Sequence, residues 1–211
     1  MPPTTETRAE RKSRTRRAIL DATLDLCEEQ PLASLSLRQV AKQVGIVPTA
    51  FYRHFGSIEE LGLALVEESM ASLRAMLRDV RRGRPEYRDI IDASVAVLVE
   101  HVRAERRQFS FIARERFAGP ASVRVEIARE IGLFERELAV DLGHLPGTET
   151  WSDTDLRVVS NLIVNAMVAT IEALLAGGPA DQQRVVDTVR TQLRMLMVGV
   201  VNWKSVDQAG S

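Results

Sequence analysis

Residues 48–55 are the part of the chain whose side-chain types and spacing best predict a chemical role. At about 100° per residue of an α-helix, Phe51 and Phe55 fall on one side, and Thr49, Tyr52 and Arg53 fall on the opposite side. Such a helix hides its aromatic rings and presents hydroxyl and guanidinium donors outward. These donors suit phosphate oxygens and the edges of base pairs. Taken alone, the polar side is explained equally well as a solvated surface.

We expect two kinds of contact from the residues around this helix. Phosphate contacts, which position without reading sequence, are expected from Ser36, Tyr52 and His54. Contacts with base edges are expected from Arg38, Thr49 and Arg53, because arginine can pair with guanine and the threonine methyl can meet thymine. Arg14 and Arg17 lie upstream and are expected either to contact the DNA backbone or minor groove or to form a solvated basic turn. The complete set of residues predicted to contact DNA is Arg14, Arg17, Ser36, Arg38, Pro48, Thr49, Ala50, Tyr52, Arg53 and His54.

The elements that must position these side chains can be read from capping signals. Ser36 with Gln39 forms a capping-box pattern that opens a short helix. Gly45 suits the left-handed residue that ends it, and Pro48 suits the first turn of the next helix. Two short helices joined by a tight turn predict a helix-turn-helix over about residues 36–54, behind a first helix over about residues 7–29.

Charge is unevenly distributed along the 211 residues. Residues 1–56 hold nine Lys and Arg against six Asp and Glu, a net charge of +3. Residues 57–211 hold nineteen against twenty-three, a net charge of −4, although the whole chain carries only −1. A basic N-terminal part is expected where one end of a protein meets phosphate.

The remainder of the chain predicts further helices. Ser57 with Glu60 is a second capping-box pattern, and it opens a helix of about seven turns. Helices are also predicted over about residues 121–142, 153–176 and 180–206, the first with Val125, Ala128, Ile131, Leu138 and Leu142 inward. The sequence therefore predicts an all-α fold of about nine helices. We expect the helix-turn-helix to lie in a basic head over residues 1–56, and the remaining helices to form a larger body over residues 57–211.

Several classes of protein are disfavoured by composition. Cys27 is the only cysteine, so no intrachain disulfide can form. The three histidines, His54, His101 and His144, lack metal-ligand spacing, and no phosphate-binding glycine loop or activated nucleophile is present. The most apolar stretch, residues 162–175, is interrupted by polar side chains and falls short of a membrane span. We expect a cytoplasmic, non-enzymatic protein without metal or cofactor.

The head motifs resemble a known family. Leu37-Arg-Gln-Val-Ala41, Val44-Gly-Ile46, Phe51-Tyr-Arg-His-Phe55 and Glu60-Leu61 are similar to the head of the tetracycline-repressor (TetR) family. The resemblance implies a homodimeric repressor that binds palindromic double-stranded operator DNA and responds to a small molecule. It also implies a three-helix DNA-binding head over residues 1–56 and a helical ligand-binding and dimerisation body over residues 57–211. The chain departs from the common pattern at Ile58, where many members carry a lysine that contacts phosphate.

A narrower resemblance covers nearly the whole chain. The segments Ala33–Arg38, Glu60–Leu63 and Glu67–Ser69, with Arg114–Arg116, Ala128–Ile131 and Gln192–Met195 in the body, are similar to the branch that represses unsaturated fatty acid synthesis and desaturase genes. This resemblance implies that long-chain acyl-CoA or a related fatty acid is the effector. The alternative in the same family is a repressor that senses a drug or another metabolite.

An acyl chain would need a long apolar tunnel with few polar groups. Candidate lining residues are Met70, Leu73, Met76, Leu77, Phe109, Phe111, Arg114, Glu115, Phe117, Met167 and Ile171. The alternative is that the apolar members fill the core of a helical bundle. Arg114 and Glu115 would then belong to a structural ion-pair network rather than hold a thioester head.

The last two predicted helices carry apolar residues on more than one side. One side is expected to face the core, and the other is expected to face a second copy of the chain. The predicted dimer contacts are Leu162, Val164, Val185, Leu196 and Val201.

Overall fold

The computed structural model describes residues 7–83, 89–145, 147–148 and 150–204, and for residues 77–83, 179 and 201 it describes the backbone only. Within these ranges every regular element is helical, which confirms the all-α prediction. The nine α-helices found there are α1 Arg8–Glu29, α2 Leu37–Val44, α3 Pro48–Phe51, α4 Ile58–Gly83, α5 Ile90–Ala104, α6 Arg106–Ala118, α7 Ala121–Leu142, α8 Asp153–Ala176 and α9 Pro179–Asn202. A short 3-10 turn, η1 Leu32–Ser34, lies between α1 and α2.

The predicted cap at the start of α4 is present, because the Ser57 hydroxyl accepts a hydrogen bond from the amide of Glu60 at 3.0 Å. At the start of α1, Thr7 closes a capping box with Glu10 that is not among the predicted caps. The end of α9 differs from prediction. The helix stops at Asn202, because Trp203 adopts an extended backbone conformation. The predicted end near residue 206 lies outside the described residues.

The chain divides into two compact units. Unit 1 comprises Met1–Ala71 with Arg107–Ile127, and unit 2 comprises Ser72–Arg106 with Ala128–Ser211. Unit 1 therefore joins α1, η1, α2, α3 and the start of α4 to most of α6 and the start of α7. The predicted division at residue 56 remains a prediction.

Each unit has its own apolar core, since side chains buried from water supply the main favourable term in folding. The most buried apolar side chains of unit 1 include Ile19, Leu32, Val40, Phe51, Phe55, Leu61, Val66, Phe111, Val123 and Ile127. Those of unit 2 include Met76, Val95, Leu98, Val102, Leu142, Leu174 and Val189.

The predicted inward stripe of α7 is wrong at Val125 and Ala128, which are exposed, whereas Leu142 at its end is buried as predicted. Val125, which was expected inside, is 67% exposed. The buried stripe instead runs through Val123, Ile127, Glu130 and Phe134, in steps of four and three. This stripe includes a glutamate, which an apolar pattern does not select. The structure accommodates that carboxylate by pairing it with the guanidinium of Arg74 from α4.

Helix α8 is long and apolar enough to cross a membrane by length and composition alone, which corrects the expectation that its apolar stretch is too short. Only 22% of its most apolar window is buried in the monomer. One such helix is weak evidence for a membrane, because helices of soluble proteins can meet the same criterion.

Candidate nucleic-acid interface

Helix α2 begins at a complete capping box. The Ser36 hydroxyl accepts from the amide of Gln39 at 3.2 Å, and the Gln39 side-chain oxygen accepts from the amide of Ser36 at 2.8 Å. Two backbone donors that would otherwise lack partners are thereby satisfied. The cap fixes the start of α2 and leaves Ser36 and Arg38 exposed at its first turn.

The turn between α2 and α3 depends on a glycine. Gly45 has φ 75° and ψ 30°, the left-handed conformation that glycine adopts without a Cβ clash. Pro48 then occupies the first turn of α3, where its missing amide costs no helical hydrogen bond. Both positions confirm the sequence prediction.

Helix α3 is shorter than predicted. It ends at Phe51 rather than near residue 54, and residues 52–54 form turns. The amides of Arg53 and His54 bond to the carbonyls of Ala50 and Phe51, three residues back, at 3.3 and 2.8 Å. This tighter winding is common where an α-helix ends, and it continues the curve of the chain through His54.

The predicted two sides of this segment are present. Phe51 and Phe55 are 0% and 1% exposed, and their ring centroids lie 6.0 Å apart. Tyr52 is 58% exposed, and Thr49 and Arg53 are also exposed. The aromatic pair anchors the segment to the core of unit 1, so the outward polar side chains sit on a firmly held base.

Helix α1 brings positive charge to the same surface. The guanidinium carbon of Arg16 lies 4.4 Å from the centroid of the Phe55 ring, a cation–π contact that the sequence did not predict. Arg14 is exposed, and Arg17 is held in ion pairs with Asp21 and Glu68. These two carboxylates compete with a phosphate for the Arg17 guanidinium.

His54 lies within this basic environment. Burial lowers the pKa of its imidazole, and the positive charges of Lys12, Arg16 and Arg53 lower it further. Its Nδ1 atom is buried without a hydrogen-bond partner. A nearby phosphate would offset the three positive charges that disfavour protonation.

The surface formed by Ser36, Arg38, Thr49, Tyr52 and Arg53 is called the α2–α3 surface below. It combines hydroxyl groups, guanidinium groups and the amide end of α2, which are the donors that bind phosphate and base edges. A helix-turn-helix presents such groups to the major groove.

Comparison with known proteins shows what this part of the chain is similar to. Residues 19–65 match the family model of bacterial regulatory proteins of the tetR family. These residues are similar to the N-terminal domain of that family. The matched range contains the second half of α1, all of the α2–α3 surface and the beginning of α4.

Solved structures extend the likeness of the fold beyond this TetR-type head. A transcriptional regulator from Rhodococcus sp. Rha1 is 17% identical, with a TM-score of 0.71 over 90% of this chain and 99% of that one. A TetR family regulator from Agrobacterium tumefaciens is 15% identical, with a TM-score of 0.63 over 86% and 98%. The fatty acid degradation regulator FadR from Bacillus halodurans is 13% identical, with a TM-score of 0.62 over 89% and 95%.

The TetR family consists of transcription factors rather than enzymes, in line with the sequence-based expectation. Among the described residues no group of three or more His, Cys, Asp and Glu side chains could hold a metal ion. The buried Cys27 is a poor nucleophile, since desolvation raises the pKa of its thiol to about 12.

The predicted ligand-pocket residues fall into different environments. Met70, Met76 and Phe111 are core residues, each no more than 3% exposed. Phe117 is 69% exposed, so within its own unit it does not line an enclosed cavity. Partly buried members are Leu73, Phe109, Met167 and Ile171, and the side chain of Leu77 lies outside the described part of the chain.

Arg114 and Glu115 contact the head rather than a cavity. The Arg114 guanidinium donates to the carbonyls of Cys27 and Glu28, and the Glu115 carboxylate accepts from the amide of Leu32. The alternative of a structural polar network therefore describes these two residues better than a thioester site. The only signal of this role in the sequence is the position of these charged residues among the apolar residues Phe111, Ile112 and Phe117.

An open apolar groove of about 390 Å³ lies between α8 and α9 in unit 2. Two predicted dimer residues, Leu162 and Leu196, line it together with Val158, Val200 and the two tryptophans, Trp151 and Trp203. The tryptophans are not among the residues predicted at this surface, and in the structure Trp151 precedes α8 and Trp203 follows α9. Val164 and Val185 are partly buried, and the side chain of Val201 is outside the described residues.

Proposed function

We propose that this protein is a homodimeric TetR-type repressor that acts in the cytoplasm and binds palindromic operator DNA through the α2–α3 surface of each head. The observation that carries the proposal is the segment 48–55. It buries Phe51 and Phe55 and exposes Thr49, Tyr52 and Arg53 beside a basic helix. In a symmetric dimer, two such surfaces would read half-sites separated by roughly 34–36 Å, one turn of DNA.

The dimer proposal is supported by the apolar surface of α8 and α9. Val158, Leu162, Met195, Val198 and Trp203 are each at least 50% exposed in the monomer. Monomeric soluble proteins rarely leave such apolar side chains together in water. A second copy of the chain would cover them, and the resulting two-fold symmetric dimer would match a palindromic operator.

The effector proposal is a long-chain acyl-CoA or fatty acid, with genes of fatty acid metabolism as targets. Two observations support it: the sequence resemblance to the desaturase-repressing branch, and the fold shared with a fatty acid degradation regulator. The cavity between α8 and α9 is an open groove rather than an enclosed tunnel, so the effector proposal rests on likeness. The protein would exist in one form that binds DNA and one form that does not. An effector would act by binding one of these two forms more tightly than the other.

DNA binding can be tested with operators selected from a random double-stranded DNA pool by the full-length protein. The double variant Tyr52→Ala with Arg53→Ala is expected to weaken operator binding at least 100-fold, since it removes a phosphate and a base contact worth roughly 1–3 kcal/mol each. The control Arg184→Ala removes an exposed arginine from α9 and should leave affinity within twofold. Equal affinity of the double variant and the wild type would contradict the DNA-binding proposal.

The effector is tested by titrating the selected operator complex with saturated and unsaturated acyl-CoA and with an aromatic cation. A shift of operator affinity by an acyl-CoA, at roughly 5–150-fold, is the expected result. No response to any chain length would refute the lipid proposal and leave the repressor proposal intact. A response to the aromatic cation alone would favour a drug sensor.

A further inference from the structure

Helix α6 holds the end of α1. One guanidinium nitrogen of Arg114 donates to the carbonyl of Cys27, and the other donates to the carbonyl of Glu28 at 3.0 Å. The last turn of α1 contains no basic residue of its own. Arg114 therefore supplies both the donors and the positive charge that the carbonyl end of a helix favours.

The next residue of α6 holds the connection from α1 to α2. The Glu115 side chain is 0% exposed, and its Oε1 accepts from the backbone amide of Leu32 at 3.0 Å. Leu32 opens η1 and is itself fully buried. Two neighbouring residues of α6 thus hold both sides of the two-residue link, Gln30 and Pro31, between α1 and η1.

Glu115 is an expensive residue to bury at this place. Its Oε2 has no hydrogen-bond partner, and burial raises the pKa of its carboxyl group despite the Leu32 amide and the Arg114 charge. A buried polar atom without a partner opposes folding. An apolar side chain would avoid this cost but would leave the buried Leu32 amide without its acceptor, so the carboxylate serves this one specific bond.

The contact also has little freedom to move. A Cβ added to Gly119 would lie 2.9 Å from the Glu115 Oε2 and 2.6 Å from the Glu115 carbonyl oxygen. A Cβ added to Gly62 of α4 would overlap the Leu32 side chain. The two glycines let α4 and the end of α6 close around Leu32 and Glu115.

We propose that Arg114 and Glu115 are positioning residues for operator binding. From α6, these two side chains fix the orientation of α2 and α3 relative to α1. The effect on operator affinity rests on the proposed function, whereas the positioning of α2 and α3 by α6 does not depend on DNA. It makes the operator-binding part of the chain discontinuous, because residues 107–127 are needed to hold residues 36–54. A displacement of α6 would be felt at the α2–α3 surface through these two side chains.

The first test measures backbone hydrogen exchange in the full-length protein without DNA. Glu115→Leu is expected to speed exchange of the amides from Leu32 through Val44 by roughly 10–100-fold. This is the change expected from losing one hydrogen bond to a charged acceptor. Glu115→Gln keeps an oxygen acceptor for the Leu32 amide and should stay within about threefold of the wild type. Exchange in α8 and α9 should not change.

The matched control is Glu130→Leu, which removes the other strongly buried glutamate described here, on α7 in unit 2. It should not speed exchange in α2. If Glu115→Leu speeds exchange equally throughout unit 1, or if Glu115→Gln fails to restore the wild-type rate in α2, the contact is only a stabilising one and the proposal is overturned.

The second test measures affinity for the selected operator. Glu115→Leu is expected to lose roughly tenfold or more in affinity and Glu115→Gln little, whereas Glu130→Leu should match the wild type. Failure of the wild type to select any DNA would refute the proposed function while the exchange result still decides the positioning. If Glu115→Leu does not fold, Arg114→Met takes its place, and unchanged exchange from Cys27 through Val44 in that variant would overturn the proposal.

Discussion

At the scale of single residues, the α2–α3 surface depends on contrasts between neighbours. Phe51 and Tyr52 are adjacent, but one is 0% and the other 58% exposed. Phe55 closes the segment, and Arg16 covers its ring. The exposed hydroxyl and guanidinium groups therefore project from a backbone that the buried aromatic rings hold in place. Less conformational entropy of this segment is then lost on binding DNA.

His54 predicts a pH dependence of stability. Its pKa in the folded protein is lowered from its ordinary value of 6.5, so the unfolded chain binds more protons than the folded head as the pH falls through that value. The contribution of His54 is therefore favourable above about pH 6.5 and is lost on acidification. We expect the free energy of unfolding to fall between about pH 7.5 and 5.5, and to fall less in His54→Gln.

Chemical denaturation at a series of pH values measures this dependence. His144→Gln, which removes a histidine from unit 2, is the control for the loss of an imidazole elsewhere. Identical pH profiles for the wild type and His54→Gln would show that the basic environment of His54 does not perturb its titration.

At the scale of elements, α2 and α3 are too short to be stable alone, with eight and four residues. The capping box at Ser36, the left-handed Gly45 and the proline at the start of α3 make up for this shortness locally. Tertiary contacts supply the rest, and the core beneath them includes Val40, Ala41 and Phe51.

Gly45 predicts a substitution whose cost comes from backbone conformation alone. A Cβ at this position would meet no atom within 4 Å, but its φ of 75° is unfavourable for any residue with a side chain. Gly45→Ala is expected to lower the free energy of unfolding by about 1–2 kcal/mol. Thermal or denaturant unfolding measures the change.

Gly178→Ala is the matched control for that substitution. Its added Cβ also meets open space, but its φ is −81°. A loss at Gly178 as large as that at Gly45 would mean that the left-handed conformation is not the cause.

At the scale of the whole molecule, the surface of α8 and α9 is the feature that the monomer leaves unexplained. Helix α8 is apolar enough to resemble a membrane segment, yet the apolar groove beside it is bounded by side chains of α9. A second copy would remove this surface from water. The resulting dimer would hold two heads in a two-fold symmetric arrangement that can bind both half-sites of a palindrome.

The dimer is tested by charge insertion at the groove. Val158→Glu is expected to shift the protein from dimer to monomer, because a carboxylate would have to be buried without a partner. Light scattering coupled to size-exclusion chromatography gives the molar mass, and operator affinity should fall with it. Val125→Glu places the same charge on an equally exposed valine of unit 1 and should leave the dimer intact.

Two results would count against this interpretation. A Val158→Glu protein that remains dimeric would move the interface away from the groove. A wild-type protein that is monomeric at micromolar concentration would contradict the homodimer proposal and with it the paired half-sites.

Local signals in the sequence determined the helices and the outward residues of the head. Capping boxes, a left-handed glycine and a helical period act between residues no more than about four positions apart, so a one-dimensional pattern records them. The all-α fold, the caps at Ser36 and Gly45, and the buried pair Phe51 and Phe55 were predictable for this reason.

Only the tertiary structure decided which residues distant in the chain share an environment. The inward stripe of α7 contains Glu130 because Arg74 neutralises it, and Glu115 reaches across 83 positions to the amide of Leu32. The contact of Arg16 with Phe55 and the groove that includes Trp151 and Trp203 have the same origin. Such pairings depend on the three-dimensional packing of helices, and no periodicity within one helix specifies its partner on another.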